Sequence, residues 1–157
     1  MSFDAKSLLD VAKLLIESGE DASDAFWRRS ISTSYYAIFH HLCTKTTHLM
    51  LGSEPEGLRR AREHIERSIE HASLAKRCKG ARNETLGFPP AIVAYAIAIY
   101  DLQEDRHRAD YNGYYKYSKE DAERRYLQAK SAIEGFDASD DRHQRAFIVW
   151  ANFEKRW

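Results

Sequence analysis

Arg106-His107-Arg108-Ala109-Asp110-Tyr111 carries the clearest chemical potential in the chain. Arg106 and Asp110 stand i, i+4, so on a helix they share a face and can pair. On a wet surface such a pair adds only tenths of a kcal/mol. Here the segment extends the most apolar run of the sequence, Ala91 to Tyr100. A guanidinium and a carboxylate in such surroundings are costly unless paired or used. The planar donor fork of Arg suits phosphate. A second set, Arg29, Thr33, Tyr36 and His40, follows a 4, 3, 4 spacing and forms one helical stripe. It lies roughly opposite the apolar stripe Ile31, Tyr35, Ile38 and Leu42, at about 100° per residue.

Other chemistries lack their residues. No His-x-x-x-His or Cys-x-x-Cys pair is present, and His64 and His71 stand two helical turns apart, beyond the reach of one ion. No metal is expected, and no cofactor either, since Walker, dinucleotide and nucleophile-elbow motifs are missing.

The elements that must position these residues read as helices throughout. The first spans residues 4–19, with Leu8, Val11, Ala12 and Leu15 inward, an Asp4 or Ser7 cap, and Gly19 at its end. The second covers 23–51. After a turn-rich break a third covers 58–79, with Leu58, Ala61, Ile65, Ile69 and Ala72 inward and alternating charges outward. A loop from Gly80 leads to Pro89 and Pro90, which open the fourth helix. Its β-branched residues also permit a strand; its alanines and the helical setting favour helix. Being apolar on all sides, it is expected at the centre, emerging into a polar zone from Glu104 to Asp110. After a Tyr-rich connection, Ser118 and Asp121 form a capping box for a fifth helix over 119–134, with Ala122, Tyr126, Ala129 and Ile133 inward and Gly135 as its stop. A short sixth covers 139–155, with Ala146, Trp150 and Phe153 on one face.

A chain of 157 residues with 43% hydrophobic content fits one domain with a real core. Equal counts of 24 basic and 24 acidic residues argue against coating nucleic acid by bulk charge. Asp4, Lys6, Asp10, Lys13 and Glu17 leave no secretory apolar region at the start. Cys43 and Cys78 then read as free buried thiols in a reducing, cytoplasmic setting. The longest uncharged apolar run, Phe88 to Tyr100, is too short for a bilayer, so no membrane association is expected.

Two segments together resemble a known family. Arg29-Ser30-Ile31-Ser32-Thr33-Ser34-Tyr35-Tyr36-Ala37-Ile38-Phe39-His40 resembles the long second helix of HEPN domains, with its Tyr-Tyr-Ala-x-Phe-His core. Arg106-x-x-Ala109-Asp110-Tyr111 resembles the Arg-x-x-Ala-Asp-Tyr signature of one prokaryotic branch of that family. The resemblance covers residues 4–134 and leaves the Trp-rich end, 135–157, as a C-terminal extension of a single domain. It implies an all-α, up-and-down bundle of four to five helices, often a homodimer. Many HEPN proteins are metal-independent ribonucleases acting as toxins or in phage defence. In those an Arg is followed about a turn later by a catalytic His. No His follows Arg106 at that offset; His107 is adjacent and points about 100° away.

The resulting expectation is a ribonuclease in which Arg106 holds phosphate and Asp110, His40 or His107 handles protons. Arg29, Tyr36, Arg108 and Tyr111 then shape the substrate site. Expected partners are RNA or a nucleotide, a second copy, and a cognate antitoxin; docking into a DNA groove is not expected. Two alternatives remain at this level: a non-catalytic nucleotide- or RNA-binding module, and a protein-interaction module using Trp150, Phe153 and Trp157.

Overall fold

The computed structural model describes residues 4–19, 24–53 and 57–153. Its regular elements are all helical, so the chain is an all-α bundle. α1 (Ala5–Ser18) starts where the Asp4 carboxylate accepts the Ser7 amide at 2.8 Å, satisfying an otherwise unpaired first-turn donor. Its buried residues are Leu8, Ala12 and Ile16. Val11 is 47% exposed, so the inward stripe is turned from the expected one. Ile16 sets that rotation by packing with Trp27 and Ile31. Gly19 admits the same indole: a β-carbon there would lie 2.6 Å from the Trp27 ring.

α2 (Asp24–Leu51) is the spine, packed against α1 and the two helices described below as α5 and α6. Ser23, the expected first residue, lies outside the described residues. Ile31, Tyr35, Ile38 and Leu42 are fully buried, as their spacing requires. The opposite stripe is not uniformly wet. Thr33 is buried and its hydroxyl donates to the Arg29 carbonyl at 2.7 Å. Ser30, also buried, donates to the Ala12 carbonyl at 2.9 Å. α1 covers this side of α2, and each hydroxyl is accommodated by a carbonyl partner.

The single helix expected over 58–79 is two, α3 (Arg59–Ser68) and α4 (His71–Lys79). Ile69 is extended between them, with φ −80° and ψ 106°. The reason lies in two apolar stripes out of phase. Leu58, Ala61, Ile65, Ile69 and Ala72 fall on one face, whereas Leu74, Ala75 and Cys78 lie nearly opposite at about 100° per residue. One straight helix cannot bury both. The core takes Leu74, Ala75 and Cys78, while α3 buries none of its residues and Leu58 is 44% exposed.

Two 3₁₀ turns, Gly80–Arg82 and Glu84–Leu86, precede α5 (Pro90–Tyr111). α5 does open on the tandem prolines and runs unbroken into its charged end. α6 (Lys119–Asp137) carries the expected Ser118–Asp121 capping box. It continues past Gly135, because Phe136 is fully buried on its next turn. Burying that ring contributes roughly 2–3 kcal/mol, more than the ~1 kcal/mol a mid-helix glycine costs.

α7 (Asp141–Asn152) starts at an Asp140 cap and buries Phe147, Ile148 and Ala151. The expected face is therefore turned: Ala146 and Phe153 are exposed. Trp150 packs edge-on against Phe88 at 5.4 Å between ring centres. Lys155 and Trp157 lie outside the described residues. No helix among the described residues is long and apolar enough to cross a membrane.

Candidate functional site

The polar half of α5 is held by two ion-pair networks before any ligand is considered. Arg28, one turn into α2, pairs with Asp24 at 2.5 Å and donates to the carbonyls of Ala109 at 2.8 Å and Asn112 at 2.9 Å. A further donor of Arg28 takes the Tyr115 carbonyl. A cation thus satisfies the unpaired carbonyls at the C-terminus of α5. On the α6 side, buried Asp105 accepts from Arg125 at 2.5 Å and Arg108 at 3.2 Å, and the Tyr117 hydroxyl donates to its backbone carbonyl at 3.2 Å. These contacts fix the rotation of α5, and with it Arg106.

Arg106 faces α2, and its side chain is 12% exposed. Nε donates to Gln103 Oε1 at 3.2 Å, and Nη1 reaches the Tyr36 hydroxyl at 3.5 Å. Its guanidinium carbon stands 5.3 Å from the Tyr35 ring centre and 5.8 Å from that of Tyr36. The expected pair with Asp110 forms, at 3.6 Å, and Asp110 also accepts from the Ser32 hydroxyl at 3.4 Å. These polar contacts are long for a charged donor. A stronger acceptor such as a phosphate oxygen can replace them.

The histidine of this cluster comes from α4. His71 shares a hydrogen bond through Nδ1 with the Tyr35 hydroxyl, and its ring stacks on Phe39 at 4.0 Å between centres. Burial, and then the Arg106 charge, hold His71 below the ordinary imidazole range. It is therefore neutral at pH 7 and able to accept a proton. Burial pushes the Tyr35 hydroxyl up, so it stays protonated. The α3–α4 break makes this placement and sets His71 apart from exposed His64. Among the described residues no group of three or more His, Cys, Asp or Glu side chains can hold a metal ion.

The remaining candidates do not converge on Arg106. His107 is exposed and packs on Tyr111 with 5.0 Å between ring centres. With Arg108, Glu104 and Tyr114 they line a separate shallow groove of about 530 Å³. Arg108 lies over the Tyr115 ring at 4.9 Å. His40 is half-buried one turn beyond Tyr36 on α2, on the side toward Asp4 at the start of α1. Arg29 is exposed on the first turns of α2. The cluster thus comprises Arg106, Asp110 and Tyr36 from the expected set, joined by Tyr35, His71, Gln103 and Ser32. Cys43 and Cys78 stand apart as free, buried thiols, both pushed up to about 12 by burial.

A second histidine is structural. His41 bonds the buried Tyr95 hydroxyl at 2.8 Å and Asp137 at 2.9 Å, and Lys45 meets the same carboxylate at 2.8 Å. Burial lowers His41, with Asp137 pulling the other way. His41 and His71 both sit below their unfolded value of about 6.5. The unfolded chain therefore binds more protons than the folded one as pH drops through that value. Stability should be full near neutral pH and fall on acidification from about pH 6.5. Asp137, held low by Lys45 and His41 against its burial, extends the loss below the ordinary carboxylate range. Urea midpoints measured across this range check the slope, and a pH-independent midpoint contradicts it.

The fold and site together define an all-α bundle that presents an Arg–Tyr–His cluster between α2, α4 and α5. No family model, curated protein or solved structure matches this chain.

Proposed function

We propose that this protein is a metal-independent ribonuclease in which Arg106 grips the scissile phosphate and His71 takes the proton of the attacking hydroxyl. The placement of a neutral histidine beside a stacked, incompletely paired arginine carries this reading. The HEPN-like segments on α2 and α5 support it, since both contribute to the same cluster. His71 takes the place of the histidine that α5 lacks.

In the proposed step the ribose 2′-oxygen attacks the adjacent phosphorus. The bond to the 5′-oxygen breaks and leaves a 2′,3′-cyclic phosphate. When His71 Nδ1–H donates to the Tyr35 oxygen, Nε2 keeps its lone pair and receives the 2′-hydroxyl proton. Water protonates the departing 5′-oxygen. Arg106 stabilises the charge on the phosphorane oxygens. Tyr36, 39% exposed, offers a ring on which a flanking base can stack. A toxin or defence role, restrained by an antitoxin encoded nearby, fits such an activity.

Purified protein incubated with RNA in EDTA should yield cyclic-phosphate ends. His71→Ala should lose at least about a hundredfold in rate. The wild-type rate should fall on the acid side through a pKa below about 6.5. RNA left intact at high protein concentration overturns the proposal, and RNA retained uncut on the protein assigns binding alone.

A further inference from the structure

The turn between α5 and α6 displays its aromatic rings instead of burying them. Tyr114 is 99% exposed and Tyr111 72%, and Tyr115 is exposed beside them. Tyr111 and Tyr114 line the shallow groove that also holds His107, Arg108 and Glu104. The backbone that carries these rings is nonetheless tightly held. The Asn112 side-chain oxygen accepts the amides of Tyr114 at 3.1 Å and Tyr115 at 3.2 Å. Arg28 of α2 binds the carbonyls of Asn112 and Tyr115. Asp24 accepts the Tyr117 amide at 2.9 Å. Rings that add nothing to the core are therefore presented from a fixed frame, which removes much of the ordering cost of a contact made there.

Local charge identifies the ligand. Basic and acidic residues balance over the whole chain, but residues 106–119 hold Arg106, Arg108, Lys116 and Lys119 against Asp110 alone. Asp110 is paired with Arg106. Arg108 lies over the Tyr115 ring at 4.9 Å, and Lys116 is exposed. Cations interleaved with open aromatic rings fit a polyanion whose flat groups are splayed out, which is the chemistry of a single-stranded nucleic acid. Glu104, the acidic residue on the groove wall, can accept from the exocyclic amine of a base.

We infer that this groove is a second subsite, on which Tyr111 and Tyr114 stack the bases of single-stranded RNA leading away from the Arg106 cluster. The choice of RNA rests on the ribonuclease reading above. Tyr111 is five residues beyond Arg106, so it stands about 7.5 Å along α5 and about 140° around it. Over the surface of the helix that path is roughly 15 Å, or about four nucleotides at ~3.4 Å each. A short unpaired strand therefore reaches both places at once. A duplex keeps its bases stacked inside and offers none to the rings, so the groove selects unpaired RNA.

Fluorescence anisotropy of the full chain with an uncleavable 2′-O-methyl oligoribonucleotide about ten nucleotides long tests this. The single strand should bind at least about tenfold more tightly than the same strand annealed to its complement. Tyr111→Ala and Tyr114→Ala should each weaken binding about fivefold or more, with an unchanged helical circular-dichroism spectrum. Tyr114→Phe keeps the ring and should bind as the wild type does. Binding indifferent to both alanine variants, while RNA is still cleaved in EDTA, overturns the subsite, leaves the ribonuclease reading standing and turns the exposed rings over to a protein contact. Equal affinity for the duplex, or a loss with Tyr114→Phe as large as with Tyr114→Ala, also overturns the subsite. RNA neither bound nor cut by the wild type overturns both readings.

Discussion

Arg106→Ala is expected to lower RNA cleavage by two to three orders of magnitude in kcat/KM, the loss typical of removing one preorganised donor to a developing oxyanion. The measurement is single-turnover cleavage of a labelled oligoribonucleotide in EDTA. The effect should be chemical. Arg106 makes long contacts to Asp110 at 3.6 Å and to Tyr36 at 3.5 Å, so the fold relies on it little. Loss of its stacking on two tyrosines should lower stability by only about 1 kcal/mol. Arg106→Lys keeps the charge and discards the planar fork, so it should recover part of the rate at most. A variant that is folded and cleaves at the wild-type rate removes Arg106 from the mechanism and the proposed function with it.

The second large effect concerns stability. Asp105→Ala should destabilise the protein by about 3 kcal/mol, because it leaves the Arg125 guanidinium in a buried setting without its closest anion. Asp105 is 6% exposed and the Arg125 side chain 18%, so water compensates little. Asp101, at 3.7 Å from Arg125, remains and keeps the loss from growing further. Urea unfolding of the two proteins measures the difference. A change under about 1 kcal/mol would place the pair among weak surface bridges. Since Asp105 also bonds Arg108 and lies beside the Tyr117 hydroxyl, the same variant should loosen the end of α5.

Much of this architecture is legible from local pattern. The α2 core stripe, the capping box at Ser118, the proline start of α5 and the Asp4 cap each rest on residues within one or two turns. Such short-range signals survive folding because nothing distant competes with them. The misreadings have distant causes. Gly135 looks like a stop until Phe136 is seen buried in the core. Ala146 looks inward until Phe147 and Ile148 claim the packing side. In the site, Arg106 and Tyr36 were identifiable from spacing. His71 was not, because its place depends on a contact 36 residues away with Tyr35. Its only sequence trace is the phase mismatch between the stripe Leu58, Ala61 and Ile65 and the stripe Leu74, Ala75 and Cys78, which implies a break between them.

That break also insulates the helical phase of one segment from the next. In an unbroken helix, one inserted residue turns everything beyond it by about 100° relative to everything before it. Extended Ile69 transmits no such rotation. Insertions or deletions within α3 can therefore change which of its charges face outward while leaving His71 on Tyr35 and Phe39. α3 is in this sense a segment whose length can drift, attached to a site whose geometry cannot.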